Sequence, residues 1–150
     1  MRRALAVLSA LGALTMAAAP VAAVTVASAT IDVHSVFEAG TGTFTADSAV
    51  LCDSGTTSDT TQIAGNGRTL TFHNLKTFEC DDGSGTFTLR IQARYMPCDS
   101  TDSGVWTVAG GTGAYEGLLG SGSLVGTYFP NVPCEAEGID DHLIGVLRLP

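Results

Sequence analysis

The stretch that decides the fold runs from Val108 to Tyr128 and reads Val-Ala-Gly-Gly-Thr-Gly-Ala-Tyr-Glu-Gly-Leu-Leu-Gly-Ser-Gly-Ser-Leu-Val-Gly-Thr-Tyr. It holds seven of the eighteen glycines and lies just after the only tryptophan, Trp106. A Gly-Gly-Thr-Gly turn followed by spaced glycines predicts a strand, a compact corner and a returning strand that bends sharply. Closing a β-sheet into a barrel requires such bends. The corner motif consists of Gly110, Gly111, Gly113, Tyr115, Gly117, Gly120 and Gly122.

The spacing of these glycines excludes a nucleotide-binding loop. Glu116 stands where the dinucleotide fingerprint requires its third glycine, and no Gly-Lys-Ser/Thr sequence follows. Nothing downstream has the periodicity of a helix whose N-terminus could hold a phosphate. We therefore expect a structural role for the stretch.

The corner motif resembles that of the allene oxide cyclase-like barrels, which include the plant dirigent proteins. The chain is most similar to small secreted bacterial proteins that carry this domain, and the resemblance also includes Gly42-Thr43-Phe44-Thr45 and the segment 82–89. It spans most of residues 31–149 and implies an eight-stranded antiparallel up-and-down barrel of the calycin type. It does not imply one activity, because fold and function separate. No motif allows the family's catalytic residues to be carried over.

The N-terminus has the pattern of a secretory signal peptide. Arg2 and Arg3 precede an uncharged, alanine-rich segment that ends before Pro20. This segment is too short for a stable membrane span. Cleavage after Ala29 fits the Ala-x-Ala rule best, and cleavage after Ala23 is the alternative. We expect a signal peptide at 1–29, one barrel domain at 30–150, and a secreted, extracellular protein without a membrane span in its mature form.

Charge and cysteine content narrow the range of partners. Removing the signal peptide leaves five basic residues against fifteen acidic ones, a net charge of about −10. Nucleic acids and anionic membranes require cationic surfaces, so neither is an expected partner. Four cysteines in an exported chain predict two disulfides. Since no Cys-x-x-Cys pair exists, we expect no metal site.

Hydrophobic periodicity from residue 30 onward has a period of two. Residues 86–95 alternate strictly, which is typical of a half-buried strand. Residues 68–78 begin the same way but shift parity at Leu75, which predicts a β-bulge near Asn74. Eight strands are expected near 31–38, 42–52, 59–64, 68–79, 85–96, 103–109, 119–129 and 142–149. The fold class is therefore all-β, an eight-stranded antiparallel barrel, with a β-sandwich as the alternative.

The barrel topology predicts which cysteines pair. Successive strands alternate direction, so Cys52 and Cys80 belong to one rim of the barrel, whereas Cys98 and Cys134 belong to the other. The rims of such a barrel are roughly 25–30 Å apart. A disulfide requires Cα atoms within about 7 Å. The expected disulfides are therefore Cys52–Cys80 and Cys98–Cys134.

The barrel lumen is the candidate binding site. Eight strands enclose an interior that is either filled by side chains or just able to hold one small ligand. Trp106 is also expected to report ligand binding by a change in fluorescence. The candidate lining residues share the apolar parity of their strands: Phe44, Leu70, Phe72, Phe87, Leu89, Ile91, Tyr95 and Trp106.

Three functions remain open. The favoured hypothesis is a non-catalytic secreted barrel that binds a small apolar molecule or an extracellular partner, without a cofactor. The second is a cofactor-free isomerase or cyclase, which the resemblance implies for plant members, and the third is a structural or inhibitory module. Several buried polar groups in the lumen would favour the enzyme, an open apolar lumen the binding protein, and a filled lumen the third reading.

The last strand suggests self-association. Residues 143–149 are apolar on both parities, so a closed barrel would leave Ile144 and Val146 on the outside. Barrels of the family that the chain resembles are often trimers. We therefore expect a homo-oligomer.

Overall fold

A single antiparallel sheet of eight strands closes into a barrel, because β1 pairs with β8 as well as with β2. The computed structural model describes residues 23–132 and 134–150, and within them one short 3-10 helix, Gly113–Tyr115, accompanies the strands. No helix in this part of the chain is long and apolar enough to cross a membrane. The strands are β1 Thr25–Val36, β2 Thr41–Asp47, β3 Ser54–Gly65, β4 Leu70–Cys80, β5 Thr86–Tyr95, β6 Thr101–Gly111, β7 Leu119–Phe129 and β8 Gly138–Leu149.

This architecture confirms the predicted fold class and excludes the sandwich. The two disulfides also pair as predicted, with Cα–Cα distances of 6.0 Å for Cys52–Cys80 and 4.3 Å for Cys98–Cys134. Each disulfide lies at a different end of the barrel. We call these ends the Cys52 rim, where the even-numbered strands end, and the Cys98 rim, where the odd-numbered strands end.

Four strands, β1, β3, β6 and β8, begin two or more residues earlier than predicted, and the difference is largest for β1 and β3. β1 starts at Thr25 rather than near residue 31, and its first five residues pair with Gly145–Leu149 of β8. β3 starts at Ser54 rather than near residue 59, although its first residues are glycine, serine and threonine, which resemble a loop. Gly55 pairs with Phe44, and a side chain at Gly55 would come within 2.6 Å of the Phe44 ring. Here close packing favours glycine in a strand.

The glycine-rich corner has the predicted form. β6 ends at Gly111, the 3-10 turn follows, and β7 returns from Leu119. Gly113 and Gly117 have φ angles of +63° and +78°, which side-chain-bearing residues rarely adopt. Tyr115 is buried beneath the corner, where its hydroxyl lies 2.8 Å from Ser84 Oγ. The corner thereby covers the Cys52 rim.

Aromatic packing fills the half of the barrel next to the Cys52 rim. The rings of Phe78 and Phe87 stack with centroids 4.6 Å apart, and Phe44 meets Phe78 edge to face at 5.1 Å. Trp106 is 1% exposed and packs against Gly122, where a Cβ would lie 2.6 Å from the indole ring. This half of the lumen is therefore solid core.

The bulge predicted near Asn74 is wrong. β4 pairs with β3 and β5 in continuous register through this region, and the irregularity lies between β5 and β6 at Thr88 and Leu89. The apolar parity breaks because Lys76 occupies an inward position at 1% exposure, whereas Leu75 faces outward at 43% exposure. A buried lysine produced the same sequence pattern as an inserted residue.

The outer surface of β8 carries the expected apolar side chains. Ile144 is 49% exposed and Val146 is 54% exposed. The exposure of these residues in a single chain is confirmed, and self-association through them stays a prediction.

Candidate functional site

The half of the lumen next to the Cys98 rim is a cavity of about 500 Å³. Apolar and aromatic side chains from several strands form its wall, and the loop after β1 adds Phe37 at the mouth. The rings of Phe72 and Tyr95 lie 5.9 Å apart, and those of Tyr95 and Tyr128 lie 4.9 Å apart. The cavity thus has a continuous aromatic side that spans β4, β5 and β7.

The predicted lumen residues divide between this cavity and the core. Phe72, Ile91 and Tyr95 line the cavity. Leu70 is half-buried near the Cys98 rim, opposite Tyr95 in register. Since Trp106 is among the residues in the filled half, it is a poor direct reporter of binding. The candidates in the filled half, each 0–2% exposed, are Phe44, Phe87, Leu89 and Trp106.

A buried lysine forms part of the cavity lining. Lys76 is the only lysine of the chain, and its ammonium lies 3.0 Å from Asp59 Oδ2 and 3.4 Å from Asp141 Oδ2. It also donates a hydrogen bond of 3.0 Å to Ser35 Oγ. An ammonium group has three N–H donors. These three partners, from β1, β3 and β8, are therefore enough to saturate Lys76.

A second buried carboxylate lies near this cluster. Asp102 at the start of β6 is 7% exposed, and its Oδ2 accepts a hydrogen bond of 3.0 Å from the Tyr128 hydroxyl. Its Oδ1 forms no hydrogen bond within the described part of the chain, and the same holds for Asn74 Oδ1. Both residues line the cavity. The cavity therefore presents buried acceptors that the described chain leaves unpaired.

The absence of a side chain at Gly126 leaves room for the two carboxylates. Asp102, Gly126 and Asp141 are aligned in register across β6, β7 and β8. A Cβ at Gly126 would lie 2.5 Å from Asp102 Oδ1 and 2.9 Å from Asp141 Oδ1. Both oxygens therefore occupy the space that a side chain at this position would need.

Burial changes the acidity of these groups. It raises the pKa of Asp141 to about 6, against the opposing effect of the Lys76 ammonium and with a further contribution from the Asp102 charge. Burial also raises the pKa of Asp102, an effect that the Tyr128 hydroxyl, the nearby backbone of Gly126 and the Lys76 charge oppose. Burial raises the pKa of Tyr128 as well. Titratable groups perturbed in this way inside a cavity are typical of functional sites. Asp141 in particular can exchange a proton near neutral pH.

Sequence reasoning missed the polar part of this site. Lys76, Asp102 and Asp141 all occupy the inward parity of their strands, alongside residues such as Trp106 and Leu143. Charged residues at inward parity were the available signal. Lys76 was not singled out because inward positions were assigned from apolar residues alone. Asp102 and Asp141 were missed because they precede the predicted strands 103–109 and 142–149, whereas β6 and β8 begin at Thr101 and Gly138.

Two histidine–aspartate pairs lie on the outside of the barrel. His34 Nδ1 is 2.7 Å from Asp140 Oδ1, and His142 Nδ1 is 2.6 Å from Asp32 Oδ1, across the β1–β8 ladder. All four side chains are more than half exposed. Grooves of about 580 and 550 Å³ near these pairs lie on the outer face of the sheet. No group of three or more metal-ligating side chains occurs in residues 23–132 and 134–150.

The geometry of the lumen is therefore the main indication of function. It combines a wall of aromatic and aliphatic side chains, one saturated lysine and a carboxylate with a free oxygen.

Comparisons of the chain with protein-family models, with curated protein sequences and with solved structures found no match.

Proposed function

We propose that the protein binds a small molecule, with an apolar body and one polar end, in the cavity at the Cys98 rim. The observation that carries this proposal is the division of the lumen. One half is packed with aromatic side chains, whereas the other holds a cavity of about 500 Å³ beside buried polar groups. A purely structural barrel would gain stability by filling this space, since cavities destabilise cores.

The wall explains the apolar part of the ligand. Ligand pockets of this size are lined by hydrophobic and aromatic side chains with a few polar groups that fix orientation. Burying apolar ligand surface contributes roughly 25 cal/mol per Å². The buried polar groups change the sequence-based expectation of a wholly apolar ligand, because an apolar group would leave Asp102 and Asn74 desolvated without partners.

A cavity-filling variant tests the proposal. Ala93 lines the cavity from β5, so the ring of Ala93→Phe would occupy part of it. The matched control is Ala109→Phe, which places the same ring on the exposed side of β6. Binding of 4-phenylbutyl compounds is measured by calorimetry and by NMR shifts of the backbone amides. We expect Ala93→Phe to abolish binding and Ala109→Phe to retain it. Equal binding by both variants would place the ligand elsewhere.

A second candidate function is a cofactor-free isomerase. It is supported by the pKa of about 6 at Asp141, which lies beside Lys76 in the cavity lining. The carboxylate could take a proton from one atom of a bound molecule, and the resulting acid could return it to another. This is the reading that buried polar groups were expected to favour, and it accords with the resemblance to allene oxide cyclase-like barrels.

Solvent exchange distinguishes turnover from binding. In D2O, an isomerase of this kind incorporates deuterium into a ligand with an acidic C–H bond, such as 4-phenylbutan-2-one. We expect incorporation with the wild-type protein and its loss in Asp141→Asn. If ligands bind but none gains deuterium above the buffer rate, the isomerase is rejected and the binding function remains.

We also propose that the protein is exported and begins at Val24. Two disulfides accord with an oxidising compartment. The predicted signal peptide lies largely outside the described residues, but the site of its removal bears on β1. Cleavage after Ala29 would remove Thr25–Ala29, five of the twelve residues of β1, and leave Gly145–Leu149 of β8 without these partners. Cleavage after Ala23 keeps the ladder complete.

A further inference from the structure

The free oxygen of Asp102 requires a hydrogen-bond donor. Asp102 is 7% exposed, and Tyr128 satisfies Oδ2 but not Oδ1. Burying a carboxylate oxygen without a hydrogen-bond donor costs free energy, even where the other oxygen is paired. A ligand that donates to Oδ1 would remove this penalty, so the polar end of the ligand should be a donor.

The charges of the cavity indicate that this donor is cationic. The described residues that line the cavity include Asp59, Asp102 and Asp141 but one cationic side chain, Lys76. Lys76 contacts Asp59, Asp141 and Ser35, so its ammonium has no N–H left for Asp102. With all four groups ionised, the cavity carries an excess charge of about −2.

The aromatic side of the cavity favours the same class of ligand. Tyr128, which bonds Asp102, belongs to the row of rings with Tyr95 and Phe72. Aromatic faces attract organic cations, and the attraction increases when the cation is desolvated. A carboxylate next to aromatic rings therefore suits an alkylammonium group attached to an apolar body.

We propose that the lumen selects a protonated primary or secondary amine, whose ammonium donates a hydrogen bond to Asp102 Oδ1 while its apolar body lies along Phe72 and Tyr95. This inference rests on the proposed ligand-binding function and names its substrate class. The site would reject carboxylates, because Asp102 and Asp141 repel them.

Three ligands that share one apolar body test the selectivity. They are 4-phenylbutylamine, 4-phenylbutan-1-ol and 4-phenylbutanoate, titrated into the wild-type protein at pH 7.5 by calorimetry. Because hydrogen bonds between charged groups are stronger than those of a neutral hydroxyl, we expect the amine to bind about ten- to a hundredfold more tightly than the alcohol. The carboxylate should bind weakest. Repeating the series at higher salt separates the contact between the ligand ammonium and Asp102 from attraction by the overall negative charge of the protein. Salt screens a buried ion pair less than it screens exposed charges.

Two variants locate the selectivity. Asp102→Asn removes the charge and should reduce the preference for the amine over the alcohol to less than about threefold. Asp47→Asn makes the same change at an exposed position near the Cys52 rim and should leave the preference unchanged. Thermal unfolding checks that both variants are folded. If Asp102→Asn does not fold, the relative affinities of the three ligands for the wild-type protein decide the proposal.

Each outcome has a distinct meaning. If the alcohol or the carboxylate binds as tightly as the amine, or if folded Asp102→Asn keeps the full preference, the amine inference is overturned while ligand binding remains. If none of the three compounds binds, both the inference and the proposed binding of phenylalkyl ligands are overturned. Binding of the amine alone, with loss of selectivity in Asp102→Asn, supports both.

Discussion

The ammonium of Lys76 and the carboxylate of Asp141 are 3.4 Å apart and connect opposite sides of the barrel. Lys76 belongs to β4 and Asp141 to β8, which are four strands apart in a closed ring of eight. The ion pair therefore crosses the lumen. Together with Asp59 and Ser35, this ion pair forms a polar link from β4 to β1, β3 and β8. Of these three strands, only β3 neighbours β4 in the sheet.

Replacing Lys76 should destabilise the fold. Lys76→Met keeps much of the side-chain volume but leaves Asp59 and Asp141 without their shared cation. Removing one partner of a buried ion pair lowers the free energy of unfolding by about 3–5 kcal/mol. Urea denaturation at pH 7 measures the change. Arg90→Met is the control, because Arg90 is an exposed cation on β5 and should change stability by about 0.5 kcal/mol or less. Equal effects of the two variants would contradict a central role for Lys76.

Stability should depend on the protonation of Asp141. Its pKa in the folded protein is about 6, above the ordinary value of 3.8, so the native state binds more protons between about pH 4 and pH 6. The contribution of Asp141 to stability is therefore fully present below about pH 4 and is lost as the pH rises through 6. The charges that face it are those of Lys76, Asp102 and Asp59.

Comparison with Asp141→Asn isolates this contribution from that of other carboxylates. Relative to the variant, the unfolding free energy of the wild-type protein should fall by about 2–3 kcal/mol between pH 4 and pH 7. Urea titrations at intervals of half a pH unit give the two curves. If the curves run parallel across this range, the pKa of Asp141 is not raised by folding.

The glycines of the corner region should differ sharply in their tolerance of alanine. A Cβ at Gly122 would collide with the backbone of Ile144 and lie 2.6 Å from the Trp106 ring, so Gly122→Ala should destabilise by about 1–3 kcal/mol. Gly110→Ala is the matched control, since nothing lies within 4 Å of a Cβ there. Thermal unfolding followed by tryptophan fluorescence measures both. A smaller loss for Gly122→Ala than for Gly110→Ala would refute this packing.

The mature chain should begin at Val24. Intact mass and N-terminal sequencing of the exported protein determine the cleavage position directly. A recombinant chain that begins at Thr30 should be less stable than one that begins at Val24, because it lacks the ladder from Thr25–Leu149 to Ala29–Gly145. A native N-terminus at Thr30, with full stability, would support the Ala-x-Ala interpretation instead.

Much of the fold could be predicted from alternation and turn residues. The strict pattern of Thr86–Tyr95 and the glycines after Trp106 correctly indicated half-buried strands and a corner. The early starts of β1 and β3 could not be predicted in this way. Thr25–Ala29 has the small residues of a cleavage region, and the start of β3 has the composition of a loop. Both become strands because neighbouring strands offer complete ladders.

The candidate site was predicted only on its apolar side. Phe72, Ile91 and Tyr95 were expected in the lumen, and they line the cavity. The position of the boundary between cavity and core was not predictable, because it depends on how Phe44, Phe78 and Phe87 pack across the lumen. Nor does parity alone show that a lysine can be buried. Burial of Lys76 requires the carboxylates of Asp59 and Asp141, and these approach the lysine only once strands that are far apart in the sequence have paired.

Because the lone lysine is enclosed, the exported chain that we propose has one amine that reagents can reach. Lys76 is 1% exposed, and a chain that begins at Val24 would present its α-amino group next to Thr25, at the Cys52 rim. Amine-directed dyes and cross-linkers should therefore attach at a single position, at the end of the barrel remote from the cavity mouth. Immobilisation through that amine would leave the mouth facing solution, and lysine-specific proteases would find no accessible site in the folded protein.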